Sequence, residues 1–508
     1  MCLKGKKQSI VIHIKNLNFL KKNSRNKIGN KIMIDSSKQK NTVRIFFKYS
    51  FLVIAVFILF STFTKIFNKS TNGSFLSKYE KAYPEDVKTT GVVKEFTLVA
   101  EIGKINLLEG NAVDVWSYNG QVPGPELRIQ KGDTLKINFT NNLPQETTIH
   151  FHGIRVPNAM DGVPGVTQEP IKPGESFVYE FAPKDAGTFW YHPHVRGSEQ
   201  VERGLYGTIV VEDSNEPDYD QDKVIVLDDW RIDQTGQIDP RFNTGHDLMH
   251  DGRWGNIITV NGVPNYTVDA KGGERLRLRF INTSNARVYK LDFGGLDVKG
   301  FAVDGMLAEK PFTTQGLEIA PGNRIDVDIT IPQISQKKTY RIRDTFTRET
   351  NNLVSVLVDG AVGEVKSFDT PVATMFPDWS SKANALKIDH EYILDARRGG
   401  QYGIEWTING KAYPDYDPIT LKKGEFNVIR FTNSSSRLHP MHLHGQFFKV
   451  LARNGQQVDE PYLRDTVLIK SKEVIDVGIV PLDEGTWVSH CHVLEHAEAG
   501  MLTVIKVE

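Results

Sequence analysis

Ten of the 14 histidines in this chain of 508 residues fall in four short clusters. The first is His150-Phe151-His152-Gly153, and the second is Trp190-Tyr191-His192-Pro193-His194. The third is His439-Pro440-Met441-His442-Leu443-His444-Gly445. The fourth is His490-Cys491-His492, followed by His496 and Met501. Residues two apart on an extended strand share a face, so each His-x-His pair presents both imidazoles to one side. Four such pairs can converge on one buried site with eight imidazoles. Imidazole suits copper, zinc, iron and nickel, so these pairs alone do not choose a metal.

Cys491 narrows the choice. Between His490 and His492 it points to the opposite face, where it can join His439 and His496, with Met501 within reach. Two imidazoles, one thiolate and a distant thioether are the donor set of a blue-copper electron-transfer site. A single His-x-His is more often a structural pair, but ten histidines at four mutually consistent spacings are not. The remaining four read as ordinary: His13 lies in a basic arm, His390 is isolated, and His246 and His250 are loop residues.

The elements that must position these groups show in an internal repeat. Asn119-Gly120 runs on to Lys131-Gly132-Asp133 and Phe139. Asn261-Gly262 runs on to Gly272-Gly273-Glu274 and Phe280, and Asn409-Gly410 to Lys423-Gly424-Glu425 and Phe431. Each copy has a glycine turn followed by strict alternation. Leu276, Leu278 and Phe280 against Arg275, Arg277 and Arg279 predict a half-buried strand with its polar side in water. Short strands with regular turns predict an all-β protein of three Greek-key β-sandwiches. The copies are placed at 88–213, 220–365 and 375–508. Only the first and third carry histidine clusters; the middle copy has Thr283-Ser284-Asn285 where the others turn toward histidine.

The balance of 62 basic and 62 acidic residues hides a split. Residues 1–48 hold 13 basic residues and one acid, Asp35, which leaves 49 basic against 61 acidic in the rest. A body of that sign is a poor nucleic-acid binder. Two cysteines, Cys2 and Cys491, exclude a disulfide scaffold. Residues 49–64 are uncharged and apolar, so with the basic arm before them they read as a signal anchor or signal-peptide core. That reading predicts export, to the periplasm or the outer face of the inner membrane, with 65–87 as a linker from the membrane.

The four clusters, in this order, resemble those of the multicopper oxidases, the family of laccases, ascorbate oxidases, bilirubin oxidases and bacterial cuprous oxidases. The resemblance covers residues from about 88 to the end. It implies cupredoxin domains and four coppers per chain: one type 1, one type 2 and two type 3. By position it implies a type 1 copper on His439, Cys491 and His496, with Met501 axial. It gives the type 2 copper His150 and His442, and the type 3 pair His152, His192, His194, His444, His490 and His492. The implied activity takes single electrons from phenols, aromatic amines or low-valent metal ions and reduces dioxygen to water. Alternatives are a copper-resistance cuprous oxidase, or a structural or electron-transfer member without oxidase activity. Asp161, eleven residues after His150, matches an acid that relatives carry near the type 2 copper. Glu498 lies one place beyond the glutamate usual after the second type 1 histidine; both are candidate proton carriers. The methionine-rich insert of copper-efflux cuprous oxidases is not visible, since residues 375–508 contain only Met375, Met441 and Met501.

Overall fold

The computed structural model describes residues 73–508 apart from residues 109 and 364. The basic arm and the apolar run 49–64 lie outside the described residues. Among the described residues no helix is long and apolar enough to cross a membrane.

The described residues are mainly β, their strands forming six sheets, with short helices between strands and a helix over residues 73–82 ahead of the first strand. In the first copy, strands Asn111–Tyr118, Val93–Leu108, Thr134–Asn141 and Ser176–Phe181 make one sheet. Gly124–Gln130, Gly207–Glu212, Gly187–His192 and His150–His152 make its companion. The second copy pairs a six-stranded sheet around Gln221–Trp230 and Arg275–Asn282 with a five-stranded sheet around Asn351–Val362. The third pairs a six-stranded sheet around Asn427–Asn433 with a five-stranded sheet holding His439–Leu443 and Gly485–Cys491.

The repeat recurs at atomic detail. Asn119, Asn261 and Asn409 all sit at positive φ, as does the glycine after each. This is the left-handed pair a tight hairpin demands. Each asparagine side chain then accepts from a neighbouring strand, from the N–H of Val99, Val226 and Ile393 respectively, every time at 2.7 Å. One contiguous apolar core runs through both the first and third copies, from Leu98 and Phe151 to Trp487 and Ile505. The second copy has a core of its own around Leu278, Val327 and Val356.

Two expectations need correction. Arg277 and Arg279 do not face water; they are 1% and 0% exposed. Their strand is central, and the guanidiniums meet Asp326, Asp222 and Glu216, with Arg279 also reaching Thr188 of the first copy. Buried charges are tolerated when paired in this way. The linker 65–87 is also not a free tether over its described part. Residues 73–82 form a helix, and Phe75, Tyr79 and Tyr83 are buried in a cluster with Trp379, Phe447 and Leu451. The Phe75 ring meets Trp379 edge-on at 4.9 Å. Aromatic side chains one helical turn apart carry that segment onto the third copy.

Candidate metal centre

Strand His150–His152 pairs with Gly187–His192 so that His150 lies opposite His192. In the third copy, His442 lies opposite His490 and Met441 opposite Cys491. Alternation therefore separates two donor sets. His442, His444, His490 and His492 turn one way, and His439 and Cys491 turn the other.

The first set closes with the histidines of the first copy into a single cluster. His150 stacks on His444 with ring centroids 3.8 Å apart, and His152 on His442 at 3.7 Å. His194, His444 and His490 converge, their Nε2 atoms 3.2 and 3.4 Å from one another across His490. His152, His192 and His492 form a further trio, with centroids between 4.9 and 5.7 Å.

The outer nitrogens decide which nitrogen faces inward. Nδ1 of His150 donates to the Asp161 carbonyl at 2.8 Å and Nδ1 of His442 to the Asp465 carbonyl at 3.0 Å. Nδ1 of His192 and His490 donate to the Pro193 and Cys491 carbonyls, and Nδ1 of His444 to Asp161 Oδ2 at 2.9 Å. An N–H committed at Nδ1 leaves the Nε2 lone pair free, the usual device for setting a metal ligand's tautomer.

The second set uses the opposite tautomer. His439 Nε2 donates to Ser435 Oγ, which itself donates to Asn433 Oδ1, and His496 Nε2 donates to the His250 carbonyl at 2.8 Å. The Nδ1 atoms of His439 and His496 thus turn to Cys491 Sγ, at 3.6 and 3.9 Å, and stand 3.3 Å apart. Met501 is fully buried, and its N–H and carbonyl bond the His496 carbonyl and the Cys491 N–H.

Whether these residues fit a metal is tested by what they leave unpaired. Nε2 of His150, His192 and His442, Nδ1 of His152 and both nitrogens of His492 are buried without a hydrogen-bond partner. Each such atom costs about 1–3 kcal/mol, a penalty that a shared cation removes. Burial, reinforced by neighbouring imidazoles, holds His152, His192, His194, His444 and His492 well below the usual histidine range. His490 and His496 are lowered to about 3, again chiefly by burial. The rings are therefore neutral lone-pair donors. Burial also pushes the Cys491 thiol far up, so only a bound cation makes it a thiolate. Both sets fit a soft-to-borderline transition metal.

Asp161 is buried behind two of these rings, its carboxylate 2.9 Å from His444 Nδ1 and 3.3 Å from His150 Nδ1. Glu498 lies elsewhere: its oxygens accept from the Ser198 N–H and from Asn243 Nδ2. Burial raises its pKa.

Three contributors carry no motif. Asp465 supports His442 and sits 3.3 Å from His152 while pairing with Arg324. The second copy, which carries none of the four histidine clusters, walls the site through Gly322, where a Cβ would come within 2.9 Å of His152 and 3.1 Å of His492. Trp406 packs on His496 with centroids 4.2 Å apart. A lone aspartate, a Pro-Gly turn and a strand tryptophan have no spacing that would single them out.

Family models described as multicopper oxidase match residues 100–216, 221–360 and 387–508. The multicopper oxidase mco of Staphylococcus haemolyticus is 29% identical over 449 residues, spanning 85% of this chain and 93% of its own length. Among solved structures, a multi-copper oxidase from Pseudomonas thermotolerans superposes with a TM-score of 0.73 at 32% identity. It covers 82% of this chain and 100% of its own. A Campylobacter jejuni multicopper oxidase, titled a metallo-oxidase, has a TM-score of 0.69 at 26% identity, over 84% of this chain and 96% of that one.

Proposed function

Since this chain belongs to the multicopper oxidase family and is an oxidoreductase that uses dioxygen, we propose that it couples one-electron oxidation of a reductant at the Cys491 site to four-electron reduction of dioxygen at the eight-histidine cluster. The observation that carries this reading is the pair of opposite tautomer sets. Nδ1 of His439 and His496 faces Cys491, while in the cluster next to it Nε2 of His150, His192 and His442 is left free, His152 being the exception that offers Nδ1.

In this reading His439, Cys491 and His496 would hold a type 1 copper, with the buried Met501 tied to His496 and Cys491 through its backbone, and His150 and His442 would hold a type 2 copper. The trios His152, His192, His492 and His194, His444, His490 hold the type 3 pair, for four coppers per chain. Copper bound there supplies single-electron transfer and the reduction of dioxygen. The protein supplies the rest. Cys491 lies between His490 and His492 in the chain, at the end of strand Gly485–Cys491, so a covalent path a few bonds long joins the two sets. Asp161, Asp465 and the backbone carbonyls fix ring orientation. Water formation consumes protons that neutral imidazoles deliver poorly. Asp161, hydrogen-bonded to the cluster, is proposed to relay them. Glu498 takes a smaller share, since both its oxygens are engaged by Ser198 and Asn243.

Phenols, aromatic amines and low-valent metal ions are the proposed reductants; the metallo-oxidase title of the Campylobacter jejuni relative supports the last. The apolar run 49–64, after its basic arm, supports export with the body periplasmic or anchored at the outer face of the inner membrane. The test is copper analysis with a visible spectrum on the purified protein. Four coppers per chain and an intense blue thiolate band are expected. One copper with the blue band would reduce the protein to an electron carrier, and none would make it structural.

A further inference from the structure

His246 and His250 lie outside the four clusters and share one short element, the helix Gly245–Met249 and its C-terminal residue. Together with Met249 they occupy positions i, i+3 and i+4, which fall on one helix face. The expected loop is ordered as a helix here because Thr244 Oγ1 caps it, accepting from the Asp247 N–H. All three side chains are exposed; the His246 side chain is 74% accessible and Met249 53%. The two imidazole rings lie 4.6 Å apart, centroid to centroid, and inclined by 31°. Asp247 beneath them pairs through Oδ1 with Arg231 at 2.8 Å, the same oxygen standing 3.7 Å from His246 Nδ1, while its Oδ2 is buried without a hydrogen-bond partner.

This helix covers the Cys491 site. Leu248 is buried, and its carbonyl accepts from Trp406 Nε1 at 2.8 Å. The His250 carbonyl accepts from His496 Nε2 at 2.8 Å. His496 is consequently 0% exposed, so a reductant must pass its electron through this cover rather than touch the ring. Two imidazoles and a thioether form a soft donor set suited to Cu(I).

We propose that His246, Met249 and His250 form a docking site for a soft monovalent metal-ion reductant, Cu(I), with the His250 residue itself as the conductor inward. The inference rests on reading His496 as a ligand of the type 1 copper. The bound Cu(I) loses one electron and leaves as Cu(II). The electron crosses from the His250 side chain to its carbonyl and over the hydrogen bond to His496. Four Cu(I), one dioxygen and four protons give four Cu(II) and two waters, dioxygen being the oxidant that the family activity uses. No methionine-rich insert is needed, because the donors sit on the second copy.

The test compares the copper-loaded parent with the double variant His246→Ala, Met249→Leu, whose altered side chains are both exposed. Ag(I), a redox-inert substitute for Cu(I), is titrated by calorimetry, and oxidation of Cu(I) and of 2,6-dimethoxyphenol is measured side by side. The expected result has three parts: loss of a stoichiometric Ag(I) site, a KM for Cu(I) raised by about ten-fold or more, and phenol oxidation and blue colour within about two-fold of the parent. Retained Ag(I) binding with unchanged Cu(I) kinetics would overturn the site. So would an equal loss with both reductants, which would mark the helix as a structural cover. The Ag(I) titration reads the site even in a protein that turns over no reductant, so failure of the oxidase reading is told apart from failure of this one.

Discussion

Seven of the clustered imidazoles are turned toward their site by the nitrogen they keep busy. Five rings spend Nδ1 on carbonyl or carboxylate oxygens and face the cluster with Nε2, while His439 and His496 spend Nε2 and face Cys491 with Nδ1. Cys491→Ser exchanges the soft donor for a hard hydroxyl. Its expected result is loss of the blue band and of turnover with every reductant, while the eight-histidine cluster still takes up copper; normal turnover would place electron entry elsewhere. Asp161→Asn preserves much of the side chain's shape but removes the charge beside His444 and His150. After anaerobic reduction the variant should bleach at the parental rate. On admission of oxygen it should recover its colour about ten-fold more slowly, a barrier increase of about 1.4 kcal/mol. Stopped-flow absorbance separates the two phases, and parental reoxidation at full copper content would leave Asp161 as a residue that only orients rings.

Among the elements, the helix over residues 73–82 is the least expected. Its Phe75 is 4% exposed, edge-on to Trp379 and against Phe426 at 5.8 Å. Phe75→Ala removes that ring and should cost about 3 kcal/mol or more, lowering the thermal midpoint with the blue band intact. An unchanged midpoint would mean that the segment contributes nothing to the third copy. The sequence pattern disclosed the strands and the converging histidine pairs because both rest on local periodicity: alternation fixes which face a histidine takes, and Asn-Gly fixes the hairpin before it. It misread the 73–82 helix, where Lys, Glu and Ser surround the three anchoring aromatics and give the segment the polar look of a linker. It misread Arg277 and Arg279 because the carboxylates that neutralise them, Asp326, Asp222 and Glu216, come from other strands. Asp465 and Gly322 reach the cluster only through tertiary packing, which no spacing encodes.

At the scale of the whole molecule, the shared core of the first and third copies concentrates buried imidazoles at one place, which makes the copper-free protein sensitive to acid. In an unfolded chain a histidine titrates near about 6.5. In the fold His490 and His496 are held at about 3, and several neighbours also lie well below the ordinary range, all chiefly by burial. Between those limits the unfolded chain binds protons that the fold refuses, so stability falls as pH drops. The slope is about 1.4 kcal/mol per pH unit for each such histidine. Thermal melts of copper-free protein should therefore show the midpoint descending steadily from about pH 7 to about pH 5. A flat profile would mean that the rings are solvated in the copper-free state.

In the proposed reaction electrons enter singly and leave together, four to each dioxygen. Simultaneous recording of phenol oxidised and oxygen consumed by the copper-loaded protein tests it most directly. About four electrons per dioxygen are expected, with no hydrogen peroxide at any stage, since the His194–His444–His490 and His152–His192–His492 trios share one buried cluster. A ratio of about two, with peroxide accumulating in step, would contradict it.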